Sequence, residues 1–285
     1  MKHIKPYKIF ESTSPNFPTT REEVIQVCEK YEINNYSIND DLSIDVNGDV
    51  YLAYKNLEYL PLKFNYVSGD FNCSFNKLKT LEGCPQTLEK SFFCNDNKLE
   101  SLEGCPQIVN DDFDCSDNYL ITLKGCPQIV GYDFHCYDNE LVSLKGCPQK
   151  IGGEFKCDNN NLKTLEGSPQ SVDSYFECAN NKLVSLKGSP QTIGGFFSCV
   201  NNKLSDLEHF PEVSGNVYIK GNTVYLLIYT FIDNADIFMI EDFVDYEIVR
   251  NRDTVMLDRL QTFIRDNDLE MPDLDKIKEH YKIIE

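Results

Sequence analysis

The chain of 285 residues carries 27 lysine and arginine residues against 46 aspartate and glutamate residues, a net charge of −19 at pH 7, and 41% of its residues are hydrophobic. This composition is typical of a folded protein and argues against general binding to the phosphate backbone of nucleic acids. The longest apolar run, near Thr223, is too short to cross a bilayer. We therefore expect neither nucleic acid nor a membrane as a partner.

The N-terminal part of the chain contains one clear helix signal. Thr20 followed by Glu23 forms a capping box, which predicts a helix through about Tyr31. Residues 1–19 are interpreted as an N-terminal tail and residues 20–44 as an N-terminal helical cap.

A hairpin and a degenerate repeat unit are predicted next. The stretch SIDVNGDVYL, from Ser43, predicts a β-hairpin about Asn47 and Gly48. The leucines that follow it, with Pro61, form a first, imperfect copy of the unit that then recurs.

A unit of 21 residues recurs through the middle of the chain, and residues 45–222 are assigned to a solenoid. Each unit has a phenylalanine two residues before a cysteine and an asparagine three residues after it, then two leucines and a Gly-Cys-Pro-Gln or Gly-Ser-Pro-Gln close. The recurring cysteines are Cys73, Cys94, Cys115, Cys136, Cys157, Cys178 and Cys199. With one degenerate unit at each end, nine strands are predicted.

The alternation within the unit predicts its structure. The phenylalanine and the cysteine share one face of a short strand, so stacked units form a parallel sheet with one apolar face. The asparagine lies where the chain turns, and its amide can bond backbone groups that no sheet ladder satisfies. No unit contains ten periodic residues, so the convex side is expected to have turns and extended segments with little helix.

The cysteines are predicted to be reduced and structural. The strand cysteines face inward as small hydrophobic residues. A second row, Cys84, Cys105, Cys126 and Cys147, gives way to Ser168 and Ser189, a change that no disulfide or thiolate metal site would tolerate. The start of the chain lacks the apolar core of a secretory signal, which favours a reducing compartment.

The repeat ends at about Asn222, and helical periodicity replaces it. Three stretches are predicted to be helical, VYLLIYTFIDNADIF, TVMLDRLQTFIRD and DLDKIKEHYKII. Residues 223–285 are interpreted as a C-terminal helical cap, with a second binding surface as the alternative.

The unit FxCxxNxLxxLxGCPQ resembles a leucine-rich repeat in its short bacterial form. With its flanking segments, nearly the whole chain is similar to the leucine-rich repeat proteins of tailed bacteriophages. The resemblance implies an α/β solenoid, a right-handed leucine-rich repeat with a parallel concave sheet, little convex helix and helical caps at both ends. It also implies the host cytoplasm as the location.

The first residues, MKHIKPYKIFES, resemble the leader of proteins that are packaged inside some phage heads. Ile9, Phe10 and Glu11 fit the cleavage pattern of that leader. The resemblance implies a virion protein as an alternative, whereas a mobile N-terminal tail is the simpler interpretation.

No catalytic set is recognised, because the four histidines stand in unrelated contexts, so no enzyme activity and no cofactor are predicted.

Function is expected at the variable positions beside each phenylalanine and cysteine, on the concave face. Acidic residues crowd its middle, and aromatic residues lie near its C-terminal end. This pattern predicts a protein partner with a basic segment and an apolar anchor, although a solvated acidic face is the alternative. The candidate binding residues are Asp112, Asp114, Asp133, His135, Tyr137, Glu154, Lys156, Asp158, Tyr175, Glu177 and Phe196.

Calcium binding is a further alternative. Asp112 and Asp133 lie on adjacent units, and the turn residues Asp96, Asp117 and Asp138 also recur at the repeat spacing. Such carboxylates could share an oxygen-seeking ion. In later units asparagine replaces the turn aspartate, which weighs against a calcium site there.

Overall fold

The computed structural model describes residues 16–232 and 238–285. The predicted leader, with its cleavage pattern at residues 9–11, lies outside these ranges. Within them, no helix combines the length and the apolar character that a membrane span requires.

The described chain contains five helices and twenty-two short strands. The helices are α1 (Arg21–Lys30), α2 (Tyr225–Ile232), α3 (Phe238–Asp245), α4 (Leu257–Asp266) and α5 (Leu274–Lys278). The strands are β1 (Tyr36–Ile38), β2 (Ile44–Val46), β3 (Val50–Tyr51), β4 (Phe64–Val67), β5 (Phe71–Asn72), β6 (Thr87–Leu88), β7 (Phe92–Phe93), β8 (Ile108–Val109), β9 (Phe113–Asp114), β10 (Ile129–Val130), β11 (Phe134–His135), β12 (Lys150–Ile151), β13 (Phe155–Lys156), β14 (Ser171–Val172), β15 (Phe176–Glu177), β16 (Thr192–Ile193), β17 (Phe197–Ser198), β18 (Glu212–Val213), β19 (Val217–Tyr218), β20 (Val249–Arg250), β21 (Thr254–Met256) and β22 (Lys282–Ile284).

The repeats form a parallel β-solenoid in which strands one period apart pair with each other. The nine odd-numbered strands from β3 to β19 form one sheet, and this confirms the predicted strand count. The register is one unit per rung, with Phe134 opposite Phe113 and Phe155.

The core of the solenoid is a column of phenylalanine rings beside a column of cysteines. From Phe71 to Phe197 the seven rings are fully buried, and neighbouring ring centroids lie 5.1 to 5.9 Å apart. All twelve cysteines are buried free thiols, as the sequence predicts. Burial raises the pKa of thiols such as Cys115 and Cys136 well above the usual value, which keeps them in the unreactive protonated form.

A second parallel sheet, which the sequence does not predict, runs along the opposite side. Six return segments pair in the order β18-β16-β14-β12-β10-β8. Each buries one aliphatic side chain, such as Val109 or Ile151, and turns its neighbour outward. The expectation of extended segments with little helix is correct. The constant period brings each extended segment beside the previous one, so their backbone groups pair.

The asparagine that follows each strand links adjacent rungs. The Asn97 side-chain oxygen accepts the Leu78 N–H at 2.9 Å, and the amide donates to the carbonyls of Cys73 at 3.0 Å and Cys94 at 3.2 Å. We call this column the asparagine ladder; its members are Asn76, Asn97, Asn118, Asn139, Asn160, Asn181, Asn202 and Asn222. The predicted structural role of this asparagine is confirmed.

The predicted hairpin about Asn47 and Gly48 is wrong. Strand β2 pairs antiparallel with β1 and parallel with β4, in the sheet β1-β2-β4-β6, whereas β3 belongs to the nine-stranded sheet. Both edges of β2 are therefore occupied, and Asn47 and Gly48 form a corner between two sheets. Gly48 has a φ of +139°, a conformation that side-chain-bearing residues rarely adopt.

The N-terminal helix forms at the predicted place, but residues 20–44 are not entirely helical. The Thr20 hydroxyl accepts the Glu23 N–H at 3.2 Å, and the Glu23 carboxylate accepts the Thr20 N–H at 3.3 Å. The helix α1 ends at Lys30, and β1 follows within the same segment.

The described residues of the segment 223–285 form four helices and a three-stranded sheet, β20-β21-β22, so the prediction of an all-helical segment is wrong in part. The segment Thr254–Met256, predicted as helix, is the central strand, since Val255 is buried between Val249 and Ile283. This unit contacts the last solenoid turn, where the Tyr281 hydroxyl donates to the Ser205 carbonyl at 2.7 Å.

Replacing one member of the asparagine ladder should destabilise the solenoid. In Asn181→Ala, the Leu162 N–H loses its partner, and the carbonyls of Cys157 and Cys178 each lose one of two asparagine donors. The free energy of unfolding should therefore fall by about 2–4 kcal/mol in urea denaturation. Asn110→Ala is the matched control, because the side chain of this exposed asparagine makes a single hydrogen bond, to the backbone carbonyl of Glu89. Equal losses in the two variants would contradict the structural role.

Candidate functional site

The outer face of the nine-stranded sheet carries all eleven predicted binding residues; we call it the sheet face. They flank the buried phenylalanines and cysteines, and in register Asp114 lies opposite His135, which lies opposite Lys156. Ten are half-buried, whereas Tyr175 is exposed. Nine of these candidates form what we call the polar centre, and the aromatic residues Tyr175 and Phe196 adjoin its C-terminal end. The polar centre consists of Asp112, Asp114, Asp133, His135, Tyr137, Glu154, Lys156, Asp158 and Glu177.

Two acidic residues of the polar centre also accept hydrogen bonds from the backbone of the next rung. The Asp112 side chain accepts the Asp133 N–H at 3.2 Å, and the Asp133 side chain accepts the Glu154 N–H at 2.7 Å. Asp49 holds Asp70 in the same way, at 2.9 Å. The sequence predicted a binding role for these positions and no structural one. The signal that it missed is the recurrence of aspartate at the repeat spacing.

Asp114 closes a local turn. Its carboxylate accepts the Ser116 N–H at 2.9 Å and the Ser116 hydroxyl at 2.6 Å. Asn72 makes the same pair of bonds to Ser74, at 3.0 and 2.6 Å. Asp114 therefore orders the strand end as well as adding negative charge to the sheet face.

A lysine neutralises part of the polar centre. The Lys156 ammonium lies 2.5 Å from a Glu154 oxygen and 3.9 Å from a Glu177 oxygen. Partial burial would lower the pKa of Lys156, but the hydrogen bond and charge of Glu154, with the charge of Glu177, raise it above the usual value. His135 joins this group, with its Nε2 3.8 Å from the Glu154 carboxylate.

Other groups of the polar centre are partly desolvated. Burial raises the pKa of Asp112, although the Asp133 N–H opposes this effect, and burial likewise raises the pKa of Asp158. For Tyr137, a hydrogen bond with Ser116 lowers the pKa, but partial burial and nearby carboxylates raise it overall. Partial desolvation of these carboxylates strengthens their interaction with a nearby cation.

Three aromatic rings form a cluster at the C-terminal end of the sheet face. Tyr175 and Phe196 stack with centroids 4.2 Å apart, and Tyr218 meets Phe196 edge-on at 5.8 Å. Tyr175 is 39% exposed and Tyr218 47% exposed. Tyr218 is absent from the predicted binding residues because those were taken only from the units of exact length, whereas Tyr218 belongs to the degenerate last unit. The signal was Val217, which aligns with Phe197 once the deletion is allowed.

One group of possible metal ligands occurs in the described ranges. Asp133, His135 and Glu154 each offer one ligand atom, and these atoms all lie within 4.8 Å of one another. The turn aspartates of the calcium alternative, Asp96 and Asp117 among them, are not part of it.

The turn aspartates instead occupy a left-handed backbone position. Asp96, Asp117 and Asp138 have φ values of 52°, 52° and 49°, and asparagine takes the same position in later units. Aspartate and asparagine tolerate this conformation better than most residues. Partial desolvation and the charges of Asp96 and Asp138 raise the pKa of Asp117 to about 6.

Asp117→Asn should stabilise the protein at neutral pH. Folding raises the pKa of this carboxyl, so its favourable contribution is present below about pH 4 and is lost as the pH rises through 6. We expect the variant to melt at a higher temperature at pH 8, with a gain of about 1 kcal/mol or less because solvent screens the exposed group. The gain should vanish near pH 4; a gain independent of pH would contradict the electrostatic cause.

A scan of the chain against protein-family models finds no matching family, and a search of curated proteins finds no match. The function is therefore inferred from the geometry of the sheet face.

Proposed function

We propose that the protein is a non-enzymatic binding module that takes a protein partner on its sheet face. The observation that carries this proposal is the aromatic cluster beside the polar centre, in which the exposed rings of Tyr175 and Tyr218 both contact the half-buried ring of Phe196. Contiguous exposed aromatic side chains are common at interaction sites, where they supply much of the binding energy.

The charge of the sheet face favours a partner segment that combines basic residues with an apolar anchor. The polar centre holds six carboxylates against one lysine, and Lys156 already lies between Glu154 and Glu177. An apolar side chain of the partner would pack on the aromatic cluster, while its lysine or arginine residues would approach the carboxylates that Lys156 does not contact. Complementary charge of this kind speeds association and selects partners.

The backbone bonds of the acidic residues support binding by making the surface rigid. Asp133 is fixed to the next rung and Asp114 to its own turn, so these carboxylates lose little freedom when a partner arrives. A preformed surface binds at a lower entropic cost.

We further propose that the solenoid is a right-handed leucine-rich repeat of the type found in tailed bacteriophages. Its unit, its parallel sheet and its asparagine ladder support this assignment. The helix α1 and residues 223–285 would then cover the two ends of the solenoid. In support, Val24 of α1 and Phe263 of α4 are buried in one hydrophobic core with the repeats.

The proposed location is the host cytoplasm, and the alternative is the phage particle. The leader pattern at Ile9, Phe10 and Glu11 favours the alternative. Intact-mass analysis of protein from purified particles separates the two, because packaging with cleavage would leave a chain that starts at Ser12.

Photo-crosslinking from the aromatic cluster should capture the partner. A photoreactive phenylalanine analogue replaces Tyr218 or, as the control, Tyr119, which is 51% exposed on a turn outside the sheet face. In cells that contain the partner, position 218 should give a discrete crosslinked protein, and position 119 should not. Phe196→Ser in the same chain should reduce that crosslink.

A crosslink that forms only from position 119, or with equal yield from both positions, would place the binding surface elsewhere. Melting temperatures of the two labelled proteins should be nearly equal, since both tyrosines are exposed.

A further inference from the structure

Asp133, His135 and Glu154 direct one nitrogen and two carboxylate groups toward one point of the sheet face. Asp133 directly precedes β11 and His135 is its second residue, so the two side chains, two residues apart along extended chain, lie on the same side of the sheet. Glu154 stands beside Asp133 on the next rung, where Phe155 pairs with Phe134. The three ligand atoms lie within 4.8 Å of one another.

The Nε2 atom of His135 is buried, and no atom of the described residues forms a hydrogen bond with it. Its distance to the Glu154 carboxylate, 3.8 Å, is too long for a hydrogen bond. Two atoms that share one metal ion at about 2.0–2.2 Å each lie up to about 4 Å apart. The spacing therefore suits two ligands of one ion.

We propose that Asp133, His135 and Glu154 bind a divalent transition-metal ion, for which Zn²⁺ is the probe. An imidazole nitrogen with two carboxylates favours zinc, cobalt or nickel, whereas calcium prefers six to eight oxygen ligands. Three protein ligands leave a further coordination position open. This inference does not rest on protein binding by the sheet face.

The neighbouring hydrogen bonds prepare the site. The Asp133 carboxylate accepts the Glu154 N–H through one oxygen at 2.7 Å, which orients the group and leaves its second oxygen as a ligand. The ammonium of Lys156 contacts Glu154 where the ion would bind. Metal binding therefore displaces Lys156 from Glu154, and Glu177, 3.9 Å away, remains as its counter-ion.

Isothermal titration of the folded, full-length protein with Zn²⁺ tests the site. We expect one equivalent to bind, with at least about tenfold weaker binding in His135→Asn and in Glu154→Gln. Lys156→Met should bind Zn²⁺ several-fold more tightly, because the competing cation is removed. Calcium should produce no comparable binding. Circular dichroism establishes that each variant is folded.

His209→Asn is the matched control, since the Nε2 of His209 also lies near a carboxylate, at 3.7 Å from Glu208, but belongs to no group of three ligands. Its Zn²⁺ affinity should equal that of the unchanged protein. Co²⁺ should bind without the sulfur-to-metal absorption that cysteine ligands produce. Unaltered binding in His135→Asn, loss of binding in His209→Asn, or a sulfur signal with Co²⁺ would overturn the proposal.

Discussion

One buried asparagine side chain in each unit joins that unit to the one before it, and the rest of the solenoid depends on this link. Asn139, for example, accepts the Leu120 N–H and donates to carbonyls of both its own rung and the previous rung. Because strands of two residues supply few ladder bonds, the asparagine fixes the register that stacks the phenylalanine rings. The same register sets the columns of the sheet face.

On the sheet face, the residues that we propose to bind ligands also make structural bonds. Asp133 holds the next rung through one oxygen and belongs to the possible metal group through its carboxylate. Lys156 both neutralises Glu154 and competes with any other cation for it. Changes at these positions should therefore alter both stability and the proposed binding, whereas Tyr218 is exposed and contributes less to packing.

The repeat made most of the fold predictable, because a fixed period specifies strand number, inward residues and the asparagine position. The second sheet could not be predicted, since segments such as Ile129–Val130 become strands only when neighbouring rungs stack. The chain turns a corner at Gly48 because β1 and β4 pair with the two edges of β2 and leave no edge for β3. This pairing involves distant segments and is not visible in the local sequence. For the candidate site, the sequence predicted that the variable residues share one face of the sheet, but not the bond of the Asp112 side chain to the next rung, which depends on the spacing of the rungs. Tyr218 was missed because the predicted columns ended with the last unit of exact length.

The ladder also bears on how such a chain can change in length. Each asparagine satisfies groups of the previous unit, so gain or loss of one whole unit preserves every bond of the ladder, whereas a partial insertion does not. The last unit is one residue short, yet Asn222 still reaches Leu204 and Cys199. Each whole unit that is gained or lost changes the length of the sheet face by about 4.8 Å. Recombination between repeats could therefore lengthen or shorten this surface without redesigning the core.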